Sequence, residues 1–186
     1  MRVLALADKR PPMDPALMAQ QMGAQAVLLL GDLDLAWIET LRALELPKLG
    51  VHGNHDTEHL LREVEVDDLH MRRTSLGGMT FAGFEGCVQY GSGPHHYHYT
   101  QRKASRLARR LPAADVLLCH CPPRGINDDP DDPAHIGFDG LRSWVDEHHP
   151  RHIVHGHVHP IAGLAATRFG DTRVHWISGA RMLQLD

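Results

Sequence analysis

The hydrophobic pattern of the chain alternates between short apolar runs and stretches with helical periodicity. Apolar runs bounded by turn residues predict buried strands at 3–7, 26–30, 48–52, 79–84, 115–119, 152–155 and 173–178. Apolar residues spaced three or four positions apart predict helices at 16–22, 35–44, 101–111 and 140–148. Strands that alternate with helices around a hairpin-rich middle are typical of a layered α/β protein with a mixed sheet.

Length and composition predict one compact domain over residues 1–186. Hydrophobic residues make up 42% of the chain, which is enough to bury a core. No run approaches the roughly 20 apolar residues that span a bilayer. The N-terminus has the pattern of a strand, because Asp8 interrupts its apolar run where a signal peptide would have a cleavage site. We therefore expect a cytoplasmic protein without membrane association.

Charge and residue usage narrow the classes of function. The net charge of -4 argues against a general nucleic-acid binder, which needs clustered Lys and Arg, although helix 101–111 is basic. Cys87, Cys119 and Cys121 are too few and too poorly spaced for a disulfide framework, so we expect reduced thiols. The 16 histidines are unusual, and histidine is the commonest metal ligand.

Residues that can bind a metal follow several predicted strands directly. They are Asp8, Asp32, Asn54, His120, His157 and His159. Ligands of open α/β sheets bind beyond the carboxyl ends of the strands, where these residues fall. Each one alone has an ordinary alternative, since an aspartate after a strand often caps a turn and His120 could be a buried core histidine. Their repetition at successive strand ends favours a metal site.

The order of these residues resembles the motifs of the calcineurin-like metallophosphoesterase superfamily. That pattern is Asp-x-His, Gly-Asp, Gly-Asn-His-Asp, His and Gly-His-x-His, and the matching positions here are Asp8, 31–32, 53–56, His120 and 156–159. Segment 120–125, with Asp128, 134–135 and 137–138, is similar to a bacterial branch of small phosphoesterases. The resemblance implies a four-layer αββα sandwich of two mixed sheets flanked by helices.

The resemblance also implies a binuclear metal centre. Asp32 would bridge two divalent ions, Asp8 and His159 would bind the first ion, and Asn54, His120 and His157 would bind the second. Oxygen and imidazole donors without thiolate suit manganese, which we favour, and also iron, zinc, nickel or cobalt.

Arg10 stands where the superfamily has the histidine of Asp-x-His. Arginine has no acceptor atom and stays protonated, so it cannot bind a metal. Water or a substrate oxygen could complete the first site, a histidine of loop 94–98 could replace the missing ligand, or the first site could be empty. Arg10 itself could clamp a substrate phosphate, or pair with a carboxylate on the surface.

The chemistry that the resemblance implies is attack of a metal-bridging hydroxide on the phosphorus of a phosphate ester. His55 would protonate the leaving oxygen as a general acid, with Asp56 orienting its ring. The alternative for His55 is a turn histidine, for Arg124 a structural arginine and for His96 a polar loop residue. The candidate substrate contacts are Arg10, Asn54, His55, His96 and Arg124.

The leading hypothesis is therefore a hydrolase of small phosphate monoesters or diesters, with diesters slightly preferred. A catalytically degenerate protein-interaction scaffold is the first alternative, because one metal ligand is missing at Arg10. A nuclease is the second, and the acidic net charge disfavours it. The sequence leaves the physiological substrate and the oligomeric state open.

Overall fold

A computed structural model describes residues 1–92, 96–160 and 163–186 of the chain. Its strands, in chain order, are β1 (Arg2–Ala7), β2 (Ala26–Leu29), β3 (Lys48–Gly50), β4 (Asp67–Asp68), β5 (Arg73–Leu76), β6 (Met79–Phe84), β7 (Cys87–Val88), β8 (His98–Tyr99), β9 (Val116–Cys119), β10 (His152–His155), β11 (Arg168–Phe169), β12 (Thr172–Trp176) and β13 (Gly179–Gln184). Its α-helices are α1 (Pro15–Gln21), α2 (Leu35–Ile38), α3 (Leu60–Glu63), α4 (Gln101–Ala108) and α5 (Asp139–His148), and a 3-10 helix spans Glu39–Ala43.

The strands form two mixed sheets. The first has the order β13-β1-β2-β3-β4, in which β1 to β4 are parallel and β13 runs antiparallel to β1. The second has the order β11-β12-β10-β9-β6-β5, with parallel β12, β10, β9 and β6 between two antiparallel edge strands. Strands β7 and β8 form a separate short pair. The carboxyl ends of the parallel strands in each sheet therefore share one edge.

Both faces of the central strands are buried, which makes the fold a four-layer sandwich. Successive side chains of a strand point to opposite faces. In β1, Val3 and Ala5 pack into a core shared with β9 and β10 of the other sheet, whereas Leu4 and Leu6 pack against α1 and α2. The outer face of the second sheet packs on α4 and α5. The predicted αββα architecture is confirmed.

The predicted helix over 35–44 is two shorter segments. A turn of α-helix, α2, is followed by the 3-10 helix, and Ile38 at the junction has φ -128° and ψ 0°. The buried Lys48 amine donates hydrogen bonds of 3.0 Å to the carbonyl oxygens of Leu41 and Leu44. These bonds satisfy carbonyl groups at the carboxyl end of the 3-10 helix, so they stabilise the end of the segment.

Strand β13 lies outside the predicted elements, because its alternation of polar and apolar residues is weak. It pairs in register along the whole of β1, with Ala5 opposite Arg181. Cys87, Cys119 and Cys121 are free and buried, and burial raises the pKa of Cys87 to about 12. In the described part of the chain, no helix is long and apolar enough to cross a membrane.

A carboxyl group lies in the core beneath α4. Glu85, which follows β6, is 7% exposed and accepts a hydrogen bond from the Tyr99 hydroxyl. The imidazole of His70 lies 3.5 Å from the same carboxyl group. Burial raises the pKa of Glu85 to about 7 and lowers the pKa of His70 to about 4.

We predict that Glu85 makes the protein less stable as the pH rises. Because its pKa is about 7 in the folded chain against 4.5 ordinarily, only the unfolded chain releases this proton between those values. The free energy of unfolding then falls over this range, by about 3 kcal/mol in full. His70 changes stability with pH in the opposite direction, but wild type and Glu85→Gln both contain it. The measurement is therefore the difference in the free energy of unfolding between these two proteins, from urea unfolding at pH 4 to 8.

The free energy of unfolding of Glu85→Gln, relative to that of wild type, should increase as the pH rises and then become constant above pH 7. The exposed Glu45, changed to glutamine, is the matched control and should show no such trend. A difference between wild type and Glu85→Gln that does not vary with pH would contradict the raised pKa.

Candidate metal centre

The polar residues after the parallel strands of both sheets meet at one end of the sandwich. The amide of Asp8, after β1, donates to the carbonyl of Gly31 after β2, at 3.2 Å. Across the sheets, both carboxylate oxygens of Asp8 accept from the His157 amide, at 3.1 and 3.0 Å. The amide of Gly156, after β10, donates to the His120 carbonyl at 3.0 Å. Backbone contacts thus fix these loops relative to one another.

Four side chains bring donor atoms into one small volume. The Nε2 atom of His120 lies 3.0 Å from Asn54 Oδ1, 3.4 Å from Asp32 Oδ2 and 3.2 Å from His157 Nδ1. The ligand atoms of Asp32, His120 and His157 all lie within 4.8 Å of one another. Among the described residues, these three form the single cluster of His, Cys, Asp or Glu side chains with this spacing. The group can hold a metal ion.

The opposite nitrogen of each imidazole contacts a backbone carbonyl group. His120 Nδ1 lies 2.7 Å from the Leu30 oxygen, and His157 Nε2 lies 2.8 Å from the Ala134 oxygen. A carbonyl oxygen only accepts, so these nitrogens carry the N–H groups. In the neutral rings, the lone pairs of His120 Nε2 and His157 Nδ1 then point toward each other. Outer hydrogen bonds of this kind orient metal-binding histidines, so the donor set fits a divalent ion.

The charges of the cluster also call for a cation. Burial opposes a charge on His120, but the carboxylates of Asp32 and Asp8 outweigh it and raise the His120 pKa to about 9. Burial lowers the pKa of His157 to about 3, so this ring stays neutral. Burial favours the neutral form of Asp32, yet His120 lowers the Asp32 pKa to about 2. A proton on His120 therefore occupies the position of a cation, and a metal ion would displace it.

Three residues at this end of the sandwich have a left-handed backbone. Asp8, Asp32 and His157 have φ values of 60°, 54° and 68°, in the left-handed region that L-residues seldom adopt. Such conformations cost about 1–3 kcal/mol each and cluster at functional sites. Gly53 permits the close approach of the loops, because a Cβ atom there would collide with the Asp32 carboxylate.

Asp56 connects the loops that carry Asp32 and Asn54. Its carboxylate accepts from the Leu33 amide at 2.9 Å and from the Gly53 amide at 2.7 Å. These are different partners from the His55 ring that the resemblance suggested. Asp32 Oδ1 in turn accepts from the His55 amide at 2.8 Å, and this bond holds the exposed His55 beside the cluster.

A cleft of about 730 Å³ opens next to the cluster. Its lining residues are Asp8, Asp32, Leu33, Asp34, Leu35, His55, Thr57, His59, Leu60 and Glu63. The cleft therefore joins two predicted metal ligands to the predicted general acid, and its volume is in the range of small-molecule sites.

The remaining predicted ligand, His159, lies apart from the cluster. It is exposed, and its ring packs edge-on against His135 with 5.2 Å between centroids. His135 itself is held by Asp132, with 2.6 Å between Nδ1 and Oδ2, and also contacts the His157 ring. The structure thus brings Asp32, Asn54, His120 and His157 together, with Asp8 one contact away and His159 further out.

The predicted substrate contacts outside the cluster have other neighbours. Arg10 is exposed and lines a separate depression that includes Trp37. Arg124 lies 3.6 Å from Asp128, whose carboxylate also accepts from the amides of Gly125 and Gly137. His96 pairs with Glu58 at 3.6 Å, and its neighbour His95 lies outside the described residues.

Sequence patterns missed the groups that support the cluster. The carbonyl groups of Leu30 and Ala134 carry no side-chain signal, and the Ala134 loop is distant in sequence from His157. Tyr90 also went unnoticed, although its hydroxyl lies 3.4 Å from the Asn54 amide nitrogen. Its position just before the histidine-rich 94–98 loop was the one sequence feature that indicated a place near the cluster.

The chain is similar in fold to several proteins of known structure. Neither a protein-family model nor a curated protein matches the sequence. The crystal structure of TT1561 of Thermus thermophilus has a TM-score of 0.57 and 21% identity, and the match covers 83% of this chain and 80% of that one. A hypothetical protein of the same organism has a TM-score of 0.55 and 18% identity, and the match covers 96% of this chain and 76% of that one. A third crystal structure has a TM-score of 0.64 and 19% identity, and the match covers 93% of this chain and 88% of that one. The two-sheet architecture therefore recurs in solved proteins.

We predict that His157→Ala weakens Mn²⁺ binding about 100-fold or more, since it removes one imidazole donor from the cluster. Titration calorimetry measures the dissociation constant. The rise in melting temperature on adding Mn²⁺ gives a second measurement, because an ion that binds only the folded state stabilises it.

The control is His149→Asn, at an exposed histidine with φ 47°, a conformation that asparagine tolerates. This variant should bind Mn²⁺ as wild type does. Unchanged affinity in a folded His157→Ala variant would contradict the proposed ligand set.

Proposed function

We propose that this chain is a metal-dependent hydrolase of phosphate esters, of the calcineurin-like metallophosphoesterase type. The observation that carries the proposal is the meeting of Asp32, Asn54, His120 and His157, with one nitrogen of each imidazole directed inward. A scaffold that binds no metal would leave this buried donor set without a chemical purpose.

The residues divide into a firm metal site and a weaker one. Asp32, Asn54, His120 and His157 would hold one ion, and Asp8, Asp32 and His159 would hold a second. The oxygen and nitrogen donors suit Mn²⁺, and iron, zinc, nickel and cobalt are close alternatives. When bound, such ions polarise a phosphoryl oxygen and make water a better nucleophile at neutral pH.

His55 would supply the proton for the leaving group. Its amide is anchored on Asp32 at 2.8 Å, while its ring lines the cleft next to the cluster. The ring can then reach the ester oxygen that departs from phosphorus. Asp56 acts as a positioning residue, because it ties the Leu33 and Gly53 amides together and so keeps His55 at the cluster.

We predict that His55→Gln lowers kcat about 10²–10⁴-fold for phenyl phosphate, whose leaving group needs a proton. The loss should be much smaller for 4-nitrophenyl phosphate, because nitrophenolate departs unprotonated. Steady-state assays with Mn²⁺ on both esters measure this difference, and titration calorimetry checks that Mn²⁺ binding is retained.

The control for this experiment is again His149→Asn, which should hydrolyse both esters as wild type does. An equal loss on the two esters would remove the general-acid role of His55. No hydrolysis of phosphate monoesters or diesters by wild type with any divalent ion would overturn the proposed function.

Arg10→His tests whether the first metal site is one ligand short. This substitution restores the superfamily pattern after β1, so we predict that the variant binds a second Mn²⁺ at least about tenfold more tightly than wild type does. Calorimetric stoichiometry and affinity measure the effect, with Arg10→Gln as the control that cannot supply an imidazole. Equal second-ion binding in all three proteins would show that position 10 does not limit the site.

A further inference from the structure

The cleft beside the metal cluster includes apolar side chains. Leu33, Leu35 and Leu60 line it together with the metal ligands Asp8 and Asp32. Leu33 and Leu60 are 6% and 2% exposed, whereas Leu35 is 36% exposed at the start of α2. An exposed leucine beside polar catalytic groups is a natural contact for an apolar part of a ligand, because small-molecule sites combine apolar walls with a few polar groups.

The charged residues of the same cleft are acidic. Beyond the metal ligands, Asp34 and Glu63 line it, and both are exposed. The Asp34 carboxylate accepts from the Ala36 amide at 2.9 Å, and the described residues provide neither acid with an ion pair. No Lys or Arg is among the described residues that line the cleft. Beyond the metal ions, a second phosphate would therefore meet carboxylates, and His55 and His59 are the described lining side chains that can carry a positive charge.

Arg10 does not change this balance. It lines the depression formed by residues 10–14 with Ala36, Trp37 and Thr40, and the cleft lining does not include it. The cation that could have clamped an additional anionic group is thus directed elsewhere.

We propose that the cleft binds the organic group of a phosphate ester that carries a single phosphate. This group would have an apolar part and either no charge or a positive charge. The proposal rests on the proposed function, since the metal cluster has to hold the phosphate at the inner end of the cleft. The acidic lining disfavours nucleoside polyphosphates and nucleic acids, whereas aryl, alkyl and amino-alcohol esters fit it.

Phosphonates test the cleft without any hydrolysis. In calorimetry with the Mn²⁺-loaded full chain, phenylphosphonate should bind about tenfold more tightly than methylphosphonate, because the phenyl ring is removed from water against Leu35. 4-(Aminomethyl)phenylphosphonate should bind about fivefold more tightly than 4-carboxyphenylphosphonate, because of the acidic lining.

Two substitutions localise these preferences. Leu35→Ser should reduce the phenyl preference to about threefold or less, whereas Leu35→Met should retain it. Glu63→Lys should abolish or reverse the preference for the aminomethyl over the carboxyl compound, since it replaces a negative charge by a positive one. Leu17→Ser, at a leucine 42% exposed on α1, and the exposed Glu45→Lys are the matched controls and should leave both ratios as in wild type.

The outcomes separate this proposal from the proposed function. Equal binding of phenyl- and methylphosphonate, or tighter binding of the carboxyl compound, would overturn the cleft proposal even in an active enzyme. The expected ranking in a protein that hydrolyses no ester would support the cleft and overturn the hydrolase. Absence of any phosphonate binding to the Mn²⁺-loaded protein would overturn the cleft proposal, while the hydrolysis assay alone decides the proposed function.

Discussion

The need for a positive charge between His120 and His157 organises one end of this protein. Their facing nitrogen atoms lie 3.2 Å apart, with oxygen atoms of Asn54 and Asp32 at 3.0 and 3.4 Å from His120 Nε2. Two carbonyl groups fix the rings so that lone pairs face inward. Donors in this arrangement repel one another unless a proton or a metal ion lies among them. The strained backbone of Asp8, Asp32 and His157 persists because both sheets and their loops hold it in place.

Under the proposed function, the two metal sites would differ in how firmly the protein holds them. The His120 and His157 half is buried and joined to both sheets by hydrogen bonds. On the other side, His159 is exposed and contacts His135, and Arg10 points into a neighbouring depression. Burial excludes water and strengthens electrostatic binding. An ion bound by His120 and His157 would therefore be held more firmly than one bound by His159. An uneven centre of this kind would exchange its outer ion readily.

Under the two proposals, the cleft would determine which phosphate esters reach the metal cluster. Its carboxylates, Asp34 and Glu63, lie where the organic part of a substrate would extend, while Leu35 offers an apolar contact. Attraction of a phosphate would come from the ions, and the surrounding protein would discriminate among the attached groups. This arrangement would allow an acidic chain to act on an anionic substrate, because the attraction would be confined to the cluster.

The sequence by itself determined the layered α/β class, most strands and the strand-end residues. These features are local: apolar runs form buried strands, and the polar residue that follows a strand lies at the edge of its sheet. Tertiary structure decided the rest. Asp8 and His157 are separated by 149 positions, and only the packing of the two sheets brings their bond about. The pairing of β13 depends on the free edge of β1. The tautomers of His120 and His157 and the outward position of Arg10 likewise depend on contacts between distant segments, which no local pattern encodes.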